Sequence, residues 1–187
     1  MRKIIVSEFI SVDGVIEAPE TWHFPFVNEE VQTAINAGVF GSDAYLYGRV
    51  TYEAFASFWP TADAPEVKEM ADYFNKAPKY VVSNTLRTAD WSPTTIFSGD
   101  VMSQIAQLKE TQGGNIGLTG SATLVRSLIK AGLVDELQLF LHPVVVGRGK
   151  RLFADGDAAT LRLAEAKTFS TGVMRLVYQP LSEALKA

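Results

Sequence analysis

Ala44-Tyr45-Leu46-Tyr47-Gly48-Arg49-Val50-Thr51-Tyr52-Glu53 is an apolar run that ends on a glycine and passes at once into a helical pattern. It reads as a buried strand followed directly by a helix. A turn of that kind leaves the first N–H groups of the helix unpaired, and the helix dipole adds partial positive charge where they point. The Arg49 guanidinium and the Thr51 hydroxyl supply further donors. The segment therefore predicts a phosphate-bearing ligand, a nucleotide or dinucleotide, at the start of a helix.

Outward from this segment, strand and helix patterns alternate. A strand is expected over 3–10, broken by the turn residues Ser11-Val12-Asp13-Gly14. An irregular stretch over 15–26 holds Trp22, His23, Phe24 and Phe26. Asn28 is positioned to cap a helix from Glu29 to Phe40, with apolar residues at Val31, Ile35 and Val39. Further helices are expected over 50–58, 65–75, 101–109 and 122–131, the third capped by Asp100 and the last closed by Gly132. Strands are expected at 79–82, 94–97, 115–119 and 136–146, and a hairpin at 161–178 around Ser170-Thr171-Gly172. This alternation predicts an α/β fold with a mostly parallel central sheet and a C-terminal antiparallel hairpin, within a single domain over 1–187. No repeat, linker or low-complexity segment interrupts it.

Composition narrows the function. The chain has 187 residues, 47% of them apolar and 20% charged, with a formal net charge of −4. These are the proportions of a globular protein. The negative balance argues against nucleic acid or an anionic membrane as partner. It leaves room for a small phosphorylated ligand. There is no cysteine, and the only histidines, His23 and His142, lie far apart in sequence, so no metal site is expected. The apolar run at the N-terminus is short for a secretion signal, and no stretch has the length of a membrane span, which makes the cytoplasm the default location.

Three turns share one predicted place. Gly48-Arg49-Val50-Thr51, Ser83-Asn84-Thr85 and Gly120-Ser121-Ala122-Thr123-Leu124 each follow a predicted strand. Ligands of open α/β sheets collect at that carboxyl edge. Turns also use glycine, serine and asparagine for purely conformational reasons, and none of the three is a G-x-G-x-x-G or P-loop signature. Their recurrence after successive strands predicts one extended ligand held at several points.

These segments carry a resemblance. Ser11-Val12-Asp13-Gly14, Leu46-Tyr47-Gly48-Arg49-Val50-Thr51-Tyr52-Glu53, Lys79-Tyr80-Val81-Val82-Ser83-Asn84-Thr85, Gly120-Ser121-Ala122-Thr123-Leu124 and Val134 to Gly149 stand in an order that resembles the dihydrofolate-reductase-like family. The nearest branch is named for the C-terminal reductase domain of the bifunctional riboflavin-biosynthesis deaminase/reductase. The resemblance spans nearly the whole chain and implies a three-layer fold and an NADPH cofactor. By that analogy Gly48-Arg49-Val50-Thr51 meets phosphate, Ser83-Asn84-Thr85 lies near the adenosine 2′-phosphate, and Gly120 to Leu124 hold the pyrophosphate and approach the nicotinamide. The 11–26 segment matches the loop that closes over nicotinamide and substrate. A homodimer is the family's habit.

The implied function is an NADPH-dependent reductase of a flat heterocycle, a pyrimidine or pteridine, in a stand-alone module. Reduction of a phosphoribosylamino-uracil is the nearest named reaction. The alternative is a non-catalytic NADP(H)-binding protein that keeps the cleft; a generic α/β protein is a third reading. The family's acidic residue on the first helix matches Val27 here, followed by Asn28, Glu29 and Glu30. Glu29 is a candidate acid or a first-turn partner of the helix dipole. Asp13 and His23 are candidates for proton donation or substrate contact, or else a turn residue and a loop histidine. Trp22 and Phe26 either cover the substrate or pack on a partner. The loop Gly147-Arg148-Gly149-Lys150-Arg151 either binds a substrate phosphate or is a solvated or interfacial turn. Tyr45, Tyr47, Phe55, Phe58 and Trp59 are expected in the core.

Overall fold

The computed structural model describes residues 1–181. Eight strands form one sheet: β1 (Ile4–Ser11), β2 (Ser42–Gly48), β3 (Lys79–Val82), β4 (Thr94–Phe97), β5 (Asn115–Leu118), β6 (Glu136–His142), β7 (Leu161–Thr168) and β8 (Met174–Pro180). Their order across the sheet is β4-β3-β2-β5-β1-β6-β8-β7. The first six run parallel, and β8 and β7 add an antiparallel hairpin at one side. The expected topology is observed.

The helices are α1 (Glu29–Phe40), α2 (Arg49–Phe58), α3 (Pro65–Lys76), α4 (Val101–Glu110) and α5 (Ala122–Lys130). Chain direction sets their layer. The path from β1 through β2 to β3 steps one way across the sheet, and the return from β4 through β5 to β6 steps the other way. Right-handed crossovers therefore place α1–α3 on one face and α4–α5 on the opposite one. Packing agrees with this. Val6, Leu46, Leu118 and Leu137 join α4 and α5 in one apolar cluster, while Tyr45, Tyr47 and Val81, one residue out of phase, join α2 and α3 in another. β2 is covered on both sides, and Ala44 through Gly48 are all buried.

Caps place the helix ends. The Asn28 side chain accepts from the Val31 N–H, and the Asp100 side chain accepts from the Ser103 N–H. At the end of α3, the buried Lys79 side chain turns back and donates from Nζ to the Phe74 and Ala77 carbonyls, each at 2.8 Å, with its charge 4.4 Å from the Trp91 ring centre. Burial pulls the Lys79 pKa down to about 8.

Two expectations are corrected. β6 stops at His142 and does not reach Val146. Pro143 has no N–H to extend a strand paired on both sides, and the Val144 N–H turns back to the His142 carbonyl at 2.8 Å. Phe58 is 52% exposed and lies outside the core that holds Tyr45 and Tyr47. Among the described residues no helix is long and apolar enough to cross a membrane.

Candidate functional site

Because β3, β2 and β5 are parallel neighbours, the three turns emerge side by side at one edge of the sheet. Two of them touch. A methyl group built on Gly48 would lie 2.5 Å from Ser121 Oγ, and one on Gly120 would lie 2.6 Å from Thr51 Oγ1. Gly120 (φ 70°) and Ser121 (φ 60°) are both left-handed, a conformation that suits glycine and is unusual for serine. Gly48 offers α2 no side-chain cap, so the first N–H groups of α2 remain free to meet a ligand. Ser121 caps α5 by accepting from the Leu124 N–H at 3.4 Å.

Side chains at this edge divide into exposed and buried. Arg49 is exposed and pairs with Glu53 at 2.9 Å. Val50, Asn84, Thr85 and Thr123 are exposed as well. Ala122 and Leu124 point into the core, which leaves that stretch its backbone at the sheet edge. Ser83 is buried, and its hydroxyl accepts from the Thr85 and Leu86 N–H groups at 3.1 and 2.9 Å. It shapes its own turn, which the Asn84 side chain joins to Gly99.

Beneath the Gly120 turn lies a carboxyl group. Glu8, on the central strand β1, is 4% exposed and accepts from the Gly120 N–H at 2.9 Å. Burial pushes its pKa up to about 8, and the hydrogen bond from Gly120 opposes that rise.

On the opposite face of the sheet, under α1, is a cavity of about 170 Å³. Ser7, Phe9, Ile35, Phe55, Thr119 and Gln138 contribute to its wall, and none of the lining residues carries an ionisable acid or base other than the Tyr45 phenol. That phenol is occupied, donating to the Val39 carbonyl at 2.7 Å. The cavity is a mostly apolar slot with hydroxyl and amide groups, a form suited to a flat neutral ring. Thr119 carries its wall to the turn at Gly120. A second cavity of about 220 Å³ shares Ile5, Gly38 and Gln138 with it and ends at Arg175, which is paired with Glu165.

The segment after β1 is in two parts. Residues 11–17 are bonded to the loop after β6. The Asp13 carboxylate accepts from the Val146 and Gly147 N–H groups at 3.0 and 2.8 Å and from the Ser11 hydroxyl at 2.7 Å. These bonds hold its pKa down at about 2. Val12 donates to the Val144 carbonyl, Ile16 to the Lys150 carbonyl, and Arg151 Nε to the Asp13 carbonyl. Residues 18–27 follow as two short 3₁₀ turns. There His23 stacks on Phe9 with ring centres 4.6 Å apart, and His142 stands edge-on to both, 5.8 Å from His23. Trp22 and Phe26 pack edge-on against His142. Burial lowers the pKa of both histidines, that of His23 to about 4. His23 Nδ1 and His142 Nε2 are buried with no hydrogen-bond partner.

Residues 2–175 match the family model of the RibD C-terminal domain. The chain belongs to that family. A Bacillus subtilis relative of uncharacterised function, YyaP, is 32% identical over 95% of this chain and 94% of its own length. Among solved structures, a Shewanella sp. PV-4 protein provisionally described as a riboflavin biosynthesis protein matches with a TM-score of 0.76 at 21% identity, over 96% of this chain and 99% of that one. The Saccharomyces cerevisiae riboflavin biosynthesis reductase Rib7 matches with a TM-score of 0.62 at 12% identity, over 96% and 90%. These two likenesses show the fold.

In this RibD C-terminal domain the sequence-marked residues do not all converge. Gly48, Thr51, Gly120 and Ser121 come into contact, with Ser83, Asn84 and Thr85 on the next strand beyond. Glu29 is exposed on the first turn of α1 and is no part of the cavity wall. Its neighbour Glu30 accepts from the Ser170 hydroxyl at 2.9 Å. Asp13, ionised and engaged by three donors, is a tie between loops and has no proton to donate. Trp22, His23 and Phe26 form a box of rings that reaches the cavity wall through Phe9 and Ile35. The basic loop at 147–151 serves the same tie through Lys150 and Arg151. Sequence reasoning missed Glu8, the pairing of His23 with His142, and the cavity groups Ser7, Thr119 and Gln138. Glu8 did carry a signal: it alternates with Ile4, Val6 and Ile10, the inward-facing positions of its strand.

Proposed function

We propose that this chain is a nicotinamide-dinucleotide-dependent reductase, with NADPH as the preferred cofactor and a flat, uncharged heterocycle of the pyrimidine or pteridine type as substrate. The observation that carries the reading is the contact between the Gly48 and Gly120 turns at the same sheet edge on which the uncharged cavity ends. Free N–H groups at the start of α2 suit phosphate, and Arg49 after β2 and Thr85 after β3 stand exposed for the remaining anionic groups. Membership of the RibD C-terminal domain family and the likeness to the riboflavin biosynthesis reductase Rib7 support a reductase of the riboflavin pathway.

A bound nicotinamide supplies the hydride. The chain's own residues have simpler tasks. The slot under α1 holds the ring plane, Ser7 and Thr119 offer it hydroxyl partners, and Phe9 forms part of its wall. The proton that accompanies the hydride comes from solvent, since no cavity-lining acid is placed to give one. That same feature supports a second reading, a binding protein that holds the dinucleotide without turnover.

Cofactor titration followed by thermal unfolding tests the proposal. NADPH should raise the melting temperature in a saturable way, NADH less so, and Arg49→Ala should weaken the effect. Absence of any shift at millimolar NADPH overturns the reading. Tight binding without NADPH oxidation by pyrimidine, pteridine or quinone acceptors selects the binding protein.

A further inference from the structure

The reading above leaves the buried Glu8 without a task. β1 and β5 pair in parallel register, Ile4 with Ile116 and Val6 with Leu118. Two residues further along β1 stands Glu8, and two residues beyond Leu118 stands Gly120. The backbone ladder has ended there, because Leu118 closes β5. The Gly120 N–H goes to Glu8 Oε1 instead. The turn is thereby held from inside the sheet, by a side chain of its central strand. It is a turn that needs holding, with two successive left-handed residues, one of them a serine.

We propose that Glu8 is a positioning residue for the anion-holding turn: as an uncharged acid it fixes Gly120 and Ser121 against Gly48 and Thr51, and its ionisation weakens binding of an anionic ligand there. The identity of that ligand as a dinucleotide rests on the function proposed above. Residues sharing the face of Glu8 bring no charge to it: Val6 and Ile10 on β1, Leu118 on β5, Leu139 opposite it on β6, and Leu124 on α5. Charged groups on the neighbouring elements are engaged elsewhere. Lys109 of α4 pairs with Asp135 beside Ile4, at the far end of β1, and Arg126 of α5 pairs with Asp157. Only burial and the Gly120 amide act on the carboxyl, which keeps its proton at neutral pH. Once ionised, it places a negative charge under the turn that meets the ligand's phosphates, and repulsion in so dry a site is strong.

The test uses the intact chain. NADPH affinity of the wild type should fall about tenfold between about pH 7 and pH 9, while Glu8→Gln, whose amide oxygen still accepts from Gly120, binds well at neutral pH and shows no such fall. Glu8→Ala should bind about tenfold more weakly at every pH. In the ligand-free wild type the Gly120 amide NMR signal should titrate with a midpoint near 8, and in Glu8→Gln it should not. A Glu8→Gln protein with the wild-type pH profile overturns the proposal, as does a Gly120 signal that does not titrate in the wild type. If NADPH fails to bind the wild type at all, the proposed function falls, and the Gly120 titration still decides the role of Glu8.

Discussion

Gly48 and Ser121, separated by most of the chain's middle, stand so close that a β-carbon on Gly48 would overlap the Ser121 hydroxyl. Gly48→Ala must displace Ser121, which caps α5, and so disturbs two helix starts together. The expected cost is about 1–3 kcal/mol of stability by overpacking. NADPH affinity should fall at least about tenfold, or about 1.4 kcal/mol. Urea unfolding and cofactor titration of the same variant read both. Unchanged values in both would show that the two turns can separate freely.

Asp13 ties the loop after β1 to the loop after β6. Asp13→Ala frees the Val146 and Gly147 N–H groups, which should then exchange with solvent much faster while the central strands stay protected. The tie is also pH-dependent. The folded pKa of Asp13, about 2, lies below its ordinary value of 3.8, so its contribution is complete above pH 4 and disappears as pH falls toward 2. The melting temperatures of wild type and variant should therefore differ at neutral pH and converge in strong acid.

The buried histidines act at higher pH. His23 titrates near 4 in the fold and near 6.5 when unfolded. Between those values the unfolded chain binds more protons, so stability drops as pH falls through this window. His142 shifts in the same direction. His23→Phe keeps a ring on Phe9 and should flatten the acid slope by about 2 kcal/mol between pH 6.5 and 4. Glu8 works in the opposite sense: its folded pKa is raised, so its contribution is full below about 4.5 and is lost as pH rises toward 8. Thermal unfolding across pH in the two single variants separates the slopes.

Lys79 is 1% exposed and supplies the last carbonyls of α3 with donors. Lys79→Met retains the apolar stem and leaves those carbonyls unmet. The expected loss is about 2–3 kcal/mol, with a change in Trp91 fluorescence because the charge leaves its ring. A denaturant midpoint equal to that of the wild type would refute this role.

Local signals in the sequence were the ones that could be read. Asn28 and Asp100 cap because a short polar side chain reaches an N–H three residues on, and both partners lie in the same stretch of sequence. The turns at Gly48 and Gly120 were legible for the same reason. Val144-Val145-Val146 misled, since β-branched residues favour a strand while Pro143 withdraws the N–H a doubly paired strand needs. Nothing local tells that Asp13 bonds to Val146, or that His23 meets His142 across Phe9. Those relations depend on β1 and β6 being neighbours, which is a property of the finished sheet. Glu8 lies between the two cases: its inward position could be read from alternation, but its partner could not.

The two parts of the segment after β1 differ in how they are attached. Through 11–17 the chain is joined to its neighbour amide by amide. From Ala18 to Val27 the backbone N–H groups bond only within the segment, and rings make the attachment: Trp22, His23 and Phe26 on Phe9 and His142. A ring contact breaks without leaving a backbone polar group stranded, whereas a ladder does not. The ten-residue stretch, entered at the left-handed Ala18 (φ 47°), is therefore held against the sheet by side-chain packing and not by a backbone ladder. Phe9 joins that packing to the cavity, with His23 stacked on its ring and the cavity beside it.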